Sequence, residues 1–202
     1  MRGIKYLLFM LLLSGCDSEN THEILNDRTV QLVALNSDNT ALIEHLKKKI
    51  TAFYGCKVTI IQQLQTPSNC YIPENNRYSA DSILKFLLHQ KKEGEVIQGL
   101  METDICTAKN NNPYWGVFGL GYCPGSSSVI STFRIEKKSN SKELLLRRMT
   151  NVSLHELGHN FGLAHCKDST CLMKSAKGLI KNVSDPHPKL CDKCSRELKA
   201  EN

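Results

Sequence analysis

No apolar run in the 202-residue sequence is long enough to cross a bilayer. The run Leu7 to Leu13 ends at Ser14 and Gly15, well short of the ~20 apolar residues a spanning helix needs. Charge of one sign is also scarce: 26 Lys and Arg stand against 20 Asp and Glu, a formal charge of +6. An excess so mild and scattered gives no footprint for nucleic acid. Internal repeats and low-complexity tracts are missing, which excludes solenoids and fibrous arrays. With 41% hydrophobic and 23% charged residues the chain can bury one sizeable core and is neither disordered nor a coiled coil.

Cysteine, by contrast, is plentiful, with nine at positions 16, 56, 70, 106, 123, 166, 171, 191 and 194. The first precedes any expected structure. Arg2 and Lys5, then an apolar stretch, then Leu13-Ser14-Gly15 predict a secretory signal over residues 1–15. The ending Leu-Ser-Gly-Cys resembles the lipobox of bacterial lipoproteins. That resemblance implies that Cys16 is lipidated, that residues 16–28 tether the chain, and that it sits anchored on the periplasmic side of a bacterial membrane. Several acyl chains on one residue satisfy the two-signal requirement for stable anchoring. An ordinary secretory signal with an incidental cysteine is the alternative.

Beyond the tether, Thr29 to Asn36 reads as a strand and Asn39 to Phe53 as a helix stopped by Gly55. Lys57 to Leu64 is β-branched and alternating, Thr66 to Asn76 a loop, and Ser79 to Lys91 a second helix. Val96 to Met101, Trp115 to Leu120 and Ser128 to Ile135 complete the expected strands. Alternating strands and helices predict an α/β domain with a mixed sheet over residues 29–162. Asn140 and Glu143 have the spacing of a capping box opening a long helix that ends near Gly162. Residues 163–202 then form a C-terminal subdomain too poor in apolar residues to fold without staples.

Inside the long helix stands His155-Glu156-Leu157-Gly158-His159. Four residues at 3.6 per turn put the two imidazoles about 40° apart on one face, so both reach one metal ion. Glu156 projects about 100° round from His155, placed to address a water beside the metal without being a ligand. A continued helix would carry His165 about 9 Å further along its axis than His159. Gly162 removes that obstacle, because glycine accepts the positive φ that ends a helix and returns the chain. Three neutral imidazoles with an open position describe a catalytic zinc site.

This extended motif resembles that of the metzincin metallopeptidases, and the residues after His165 narrow it. Cys166 succeeds His165 directly, four residues precede Cys171, Met173 comes two later, seventeen residues separate it from Cys191, and Cys194 closes the run. From His155 to Cys194 the pattern resembles the archaemetzincin signature at every defining position. The resemblance implies a metzincin-like α/β (α+β) fold: a mixed twisted sheet, flanking helices, a long active-site helix and a small zinc-stapled C-terminal subdomain. It implies a zinc-dependent peptidase acting on peptide or protein substrates, with Glu156 as general base and His155, His159 and His165 as zinc ligands. Met173 takes the place of the Met-turn methionine, and Cys166, Cys171, Cys191 and Cys194 that of a second, structural zinc site, giving two zinc ions per chain. The Cys-x4-Cys and Cys-x2-Cys spacings fit four-thiolate zinc independently, while two disulfides remain the alternative in an oxidising compartment. The strand around Val129 to Ile135 resembles the edge strand that pairs with an extended substrate. Some metzincins place a tyrosine after the methionine as an extra ligand; Lys174 and Ser175 stand here.

Other candidates read more plainly. His22, His45 and His89 have no partner at motif spacing and read as surface or core side chains; His187 lies between Pro186 and Pro188. Cys56, Cys70, Cys106 and Cys123 allow three disulfide pairings or buried thiols. Trp115 reads as core, and Arg147 and Arg148 as a solvated helix face. Beside the peptidase stand a non-catalytic zinc- or peptide-binding lipoprotein and a metal-delivery protein; a general base at Glu156 favours catalysis. The expected form is a monomer.

Overall fold

The structure, a computed structural model, describes residues 25–200. The expected signal over 1–15, Cys16, His22 and most of the tether lie outside the described residues. Leu25, within the expected tether, is 2% exposed and packs into the larger core, so the packed body already includes it.

Two mixed sheets and flanking helices make up the fold. The larger sheet contains β1 (Thr29–Ala34), β2 (Lys57–Ile60), β5 (Val96–Met101), β8 (Gly119–Gly121) and β9 (Ser127–Ser131) in the order β2-β1-β5-β9-β8. The first four strands of that order run parallel, and β8 is antiparallel at the edge. Alternation along the buried strands builds two cores. Val30, Leu32, Ala34, Val96 and Leu100 face α1 (Thr40–Tyr54) and α4 (Lys142–Asn160). Val33, Leu35, Ile97 and Met101 face α2 (Ala80–Gln90). A smaller sheet, β3 (Tyr71–Ile72), β4 (Arg77–Ser79), β6 (Ile105–Lys109) and β7 (Asn112–Val117), has the order β3-β4-β6-β7. The segment expected as a loop over 66–76 thus contributes a short strand, and β6 carries no pattern that marks it in the sequence. Among the described residues no helix is long and apolar enough to cross a membrane.

Element boundaries depart from expectation for local reasons. Asn39 caps α1, its side chain accepting from the Leu42 amide at 3.2 Å, as its sequence position predicts. The long helix is capped by Ser141 rather than Asn140: the Ser141 hydroxyl accepts from the Leu144 amide at 3.1 Å. Glu143 instead pairs with Arg147 at 2.9 Å, so no capping box forms. The strand expected to run to Ile135 stops at Ser131, whose hydroxyl accepts from the Phe133 amide and turns the chain into the short helix α3 (Phe133–Glu136). Ile135 is then fully buried from a helix, not a strand. Nor is β9 an edge: it lies between β5 and β8, with all five residues buried.

The last helix, α5 (Asp192–Ala200), and the segment before it send Met173, Val183, Cys194 and Leu198 into the same core as α1 and α4. Arg148, expected on a solvated face, is 8% exposed. Its guanidinium donates to the Ser184 hydroxyl at 2.9 Å and to the Lys138 carbonyl at 2.5 Å, clamping the C-terminal segment to α4.

Candidate metal centre and catalytic cleft

Helix α4 runs beneath the edge of the larger sheet and carries His155 and His159 one turn apart. At its end Gly162 takes φ 96°, and the Leu163 amide donates to the Gly158 carbonyl at 2.9 Å. That reversal returns His165 to the other two, as the sequence predicts. The ring centroids lie 4.7 Å (His155 to His159), 4.7 Å (His159 to His165) and 5.4 Å (His155 to His165) apart. One ligand nitrogen from each lies within 4.8 Å of the others.

Backbone carbonyls orient two of these rings. His155 Nδ1 lies 2.8 Å from the Leu172 carbonyl and His159 Nδ1 2.7 Å from the Leu163 carbonyl. A carbonyl only accepts, so each Nδ1 carries the proton and each Nε2 keeps its lone pair. Burial, then the neighbouring His159, pushes His155 down to about 3. His159 is lowered by burial and by His165, and His165 by burial and by Lys109. Three imidazoles held neutral, with converging lone pairs, are the donor set of a catalytic zinc ion.

Glu156 faces the same cleft, which has a volume of 470 Å³. Its carboxylate accepts from the Gly121 amide of β8, and burial pushes its pKa up to about 8. A divalent cation among the histidines opposes that shift by favouring the carboxylate. Two glycines of β8 allow the close approach. A Cβ at Gly119 would lie 2.8 Å from Glu156 Cγ, and one at Gly121 2.8 Å from the Glu156 carbonyl. Asn160 pins the far end of the strand, donating to the Tyr122 and Ser127 carbonyls at 3.1 and 2.8 Å.

Met173 is fully buried beneath the histidines. Its neighbour Leu172 supplies the carbonyl to His155, and its own carbonyl accepts from the Cys166 amide at 2.8 Å. A Cβ at Gly158 would lie 2.5 Å from Met173 Sδ and 3.1 Å from Tyr54 Oη. Tyr54 in turn donates to the Leu154 carbonyl at 2.6 Å, bracing the helix from α1. Gly158→Ala therefore overpacks a site with nowhere to relax. It is expected to cost about 1–3 kcal/mol, read as a fall of roughly 2–4 °C in Tm per kcal/mol in thermal unfolding of the zinc-loaded protein. An unchanged Tm would mean that Met173 is not held against the helix.

Cys166, Cys171, Cys191 and Cys194 form a second cluster, their sulfurs all within 4.8 Å of one another. Cys166 and Cys191 Sγ are 3.7 Å apart, close to the ~3.8 Å expected between sulfurs each about 2.3 Å from a tetrahedral zinc. The Asp168 and Cys191 amides point at the sulfurs of Cys166 and Cys171, both at 3.4 Å, an arrangement that suits thiolates. The cluster fits a metal better than two separate disulfides.

The remaining candidates separate. Cys56, Cys70 and Cys106 are buried thiols, Cys56 pushed up to about 12 by burial. Cys123 lines the cleft and donates to the Leu163 carbonyl at 3.4 Å. Trp115 is 36% exposed on the cleft rim, with Lys109 Nζ 5.2 Å from its ring, rather than in the core. His45 contacts Thr150 at 3.0 Å and braces α1 against α4, His89 does not line the cleft, and the loop of His187 borders it through Asp185 and Pro188.

The sequence model of Peptidase family M54 matches residues 21–200. The chain belongs to Peptidase family M54. As a member it is a zinc metallopeptidase. An archaemetzincin from Haloquadratum walsbyi is 32% identical over 152 residues, covering 72% of this chain and 84% of the relative. The crystal structure of the Methanopyrus kandleri archaemetzincin superposes with a TM-score of 0.74 at 26% identity, over 91% of this chain and 97% of that one. The Archaeoglobus fulgidus archaemetzincin gives 0.70 at 24% identity, over 84% and 99%, a likeness of fold. M54 membership disfavours the non-catalytic alternative, and the M54 likeness extends well beyond the motif, through both sheets.

Proposed function

We propose that His155, His159 and His165 hold the catalytic zinc of this peptidase, with Glu156 as its general base and acid, and that Cys166, Cys171, Cys191 and Cys194 hold a second, structural zinc. The convergence of the His155 and His159 Nε2 lone pairs with a ring nitrogen of His165, beside the Glu156 carboxylate, carries this reading. Bound zinc supplies Lewis acidity to the scissile carbonyl and makes a nearby water a better nucleophile. Glu156 takes the proton from that water and passes it to the leaving amine nitrogen. The Gly121 amide fixes the carboxylate for both transfers. No tyrosine follows Met173, so Glu156 moves the proton without a second protein acid there.

The substrate backbone pairs with β8. In the β8–β9 ladder the Phe118 carbonyl and the Tyr122 amide bond to β9, so the amides and carbonyls of Gly119 and Gly121 point away from the sheet. With the Gly121 amide taken by Glu156, an extended peptide meets the Gly119 amide and carbonyl and the Gly121 carbonyl by β-augmentation. Gly119→Ala forces Glu156 aside and is expected to lower kcat/KM by about tenfold or more while zinc content stays constant. Steady-state kinetics beside metal analysis checks this; full activity would show that Glu156 tolerates displacement.

Cys16 anchors the chain as a lipoprotein with its cleft outside the cytoplasm, and the enzyme acts as a monomer. The Leu13-Ser14-Gly15-Cys16 sequence supports the anchor. Cys16→Ala should move the protein out of the membrane fraction or leave it unprocessed. Peptide-library digestion by the zinc-loaded protein, repeated after chelation and zinc restoration, tests the catalytic reading. Cleavage lost and regained with zinc is expected; no cleavage by fully loaded protein would refute it.

A further inference from the structure

Next to the catalytic cleft, four cationic side chains surround one buried carboxylate. Asp104 is 6% exposed. Arg134 grips it with two bonds, Nε to Oδ1 at 2.6 Å and Nη2 to Oδ2 at 2.8 Å, and Arg77 Nε reaches Oδ2 at 2.9 Å. Arg77 Nη1 also donates to the Tyr114 carbonyl at 2.7 Å. Lys137, held 3.7 Å from the Phe133 ring, and Lys138 complete the walls of a 280 Å³ pocket. One anion against four cations leaves the pocket strongly positive. The three bonds to Asp104 and the one to Tyr114 use only part of the donor capacity of the two guanidinium forks.

This pocket opens off the catalytic cleft, because Gly116, Phe118 and Gly178 line both. Gly116 has no side chain for a reason: a Cβ there would overlap the Arg134 guanidinium, which lies flat against the strand. Phe118 directly precedes Gly119, where Glu156 packs. Gly116 lies one residue before the end of the smaller sheet's β7 and Gly119 opens β8, and the three residues of chain between their Cα atoms reach at most about 10 Å at about 3.3 Å per residue. That is a span of two or three residues of an extended peptide.

We propose that this pocket binds a carboxylate of the peptide substrate, two or three residues from the scissile bond. The carboxylate is either an Asp or Glu side chain or the peptide's own C-terminus. The inference rests on the peptidase reading of the neighbouring site. Guanidinium forks match carboxylates in shape, and Asp104 holds both forks in place before any ligand arrives, so little ordering cost remains. Lys109, Lys174 and Lys177 on the cleft add a field of the same sign.

The test is a peptide panel in which Glu replaces Gln at each of three positions on either side of the scissile bond, with free and amidated C-termini. Binding is read by fluorescence polarisation on the zinc-loaded Glu156→Ala chain, and cleavage by the wild type on the same panel. One Glu position, or a free C-terminus at that place, is expected to tighten binding about tenfold, as one charge-assisted bidentate contact does. Lys137→Ala with Lys138→Ala, and separately Arg134→Gln, should bring that ratio close to one. The double lysine variant leaves the Asp104 pairs intact, so the test survives if Arg134→Gln fails to fold. No tighter binding at any position overturns the proposal. So does an equal gain at every position that vanishes at about 1 M salt, where the screening length is about 3 Å, since that reports a diffuse field. A positional preference without cleavage supports the pocket and defeats the peptidase reading; cleavage without preference defeats the pocket alone.

Discussion

Glu156→Ala is expected to lower peptide turnover by about 10²–10⁴-fold or more while the protein keeps its full zinc content. The two effects separate because Glu156 is no ligand in the three-histidine set: its carboxylate accepts from the Gly121 amide, across the cleft from the converging imidazoles. Removing it deletes the buried group placed to move a proton between water and leaving amine. Nδ1 of His155 and His159 remain held by the Leu172 and Leu163 carbonyls, so the ligand cage stands. Glu156→Gln should behave the same way, since an amide accepts hydrogen bonds but takes no proton at neutral pH. Steady-state rates with metal analysis of the same samples check both. Loss of zinc along with activity would make Glu156 a structural support for the cage instead of the base.

Cys194→Ala is expected to have the largest effect on stability. Cys194 is 2% exposed on α5 and sits in the core shared by α1 and α4, while the other three sulfurs come from the segments between α4 and α5. Losing one thiolate should drop zinc from two ions to one per chain. Apparent binding energies of structural zinc in small domains run to ~10–16 kcal/mol, of which the shared core here replaces a part. A loss of several kcal/mol is expected, visible as a fall of roughly 2–4 °C in Tm for each. The wild type should lose the same stability to a strong chelator and none to a mild reductant. The opposite sensitivity would identify two disulfides and remove the second zinc. Because Met173 joins the two sites through the Cys166 amide and the Leu172 carbonyl, the Cys194 variant should also hold its catalytic zinc more loosely.

Much of this site is legible in the chain because metal ligation is spelled in residue type and spacing. His155, His159 and His165 converge as the helix period and Gly162 require, and the four cysteines cluster as their paired spacing implies. The parts that hold them are not legible. The Leu163 and Leu172 carbonyls orient the imidazoles, and a carbonyl leaves no mark on the residue that bears it. Gly119, Gly121 and Gly158 are visible only as strand and motif glycines; their function as clearances for Glu156 and Met173 depends on which elements meet. The edge of the sheet escapes sequence reading for a similar reason. A buried β-branched run such as Val129-Ile130 looks the same at the edge and at the centre, whereas the true edge, Gly119–Gly121, carries almost no side chain to give a pattern. Arg148 and Trp115 show the other limit: a long amphipathic side chain reads as surface or core by type, and only its tertiary partners decide.

The most direct measurement is X-ray diffraction from crystals of the zinc-loaded protein, recorded on both sides of the zinc absorption edge. Two anomalous peaks are expected, one among the ring nitrogens of His155, His159 and His165 beside Glu156, and one among the sulfurs of Cys166, Cys171, Cys191 and Cys194. A fully loaded crystal with no peak at the three histidines would contradict the catalytic assignment.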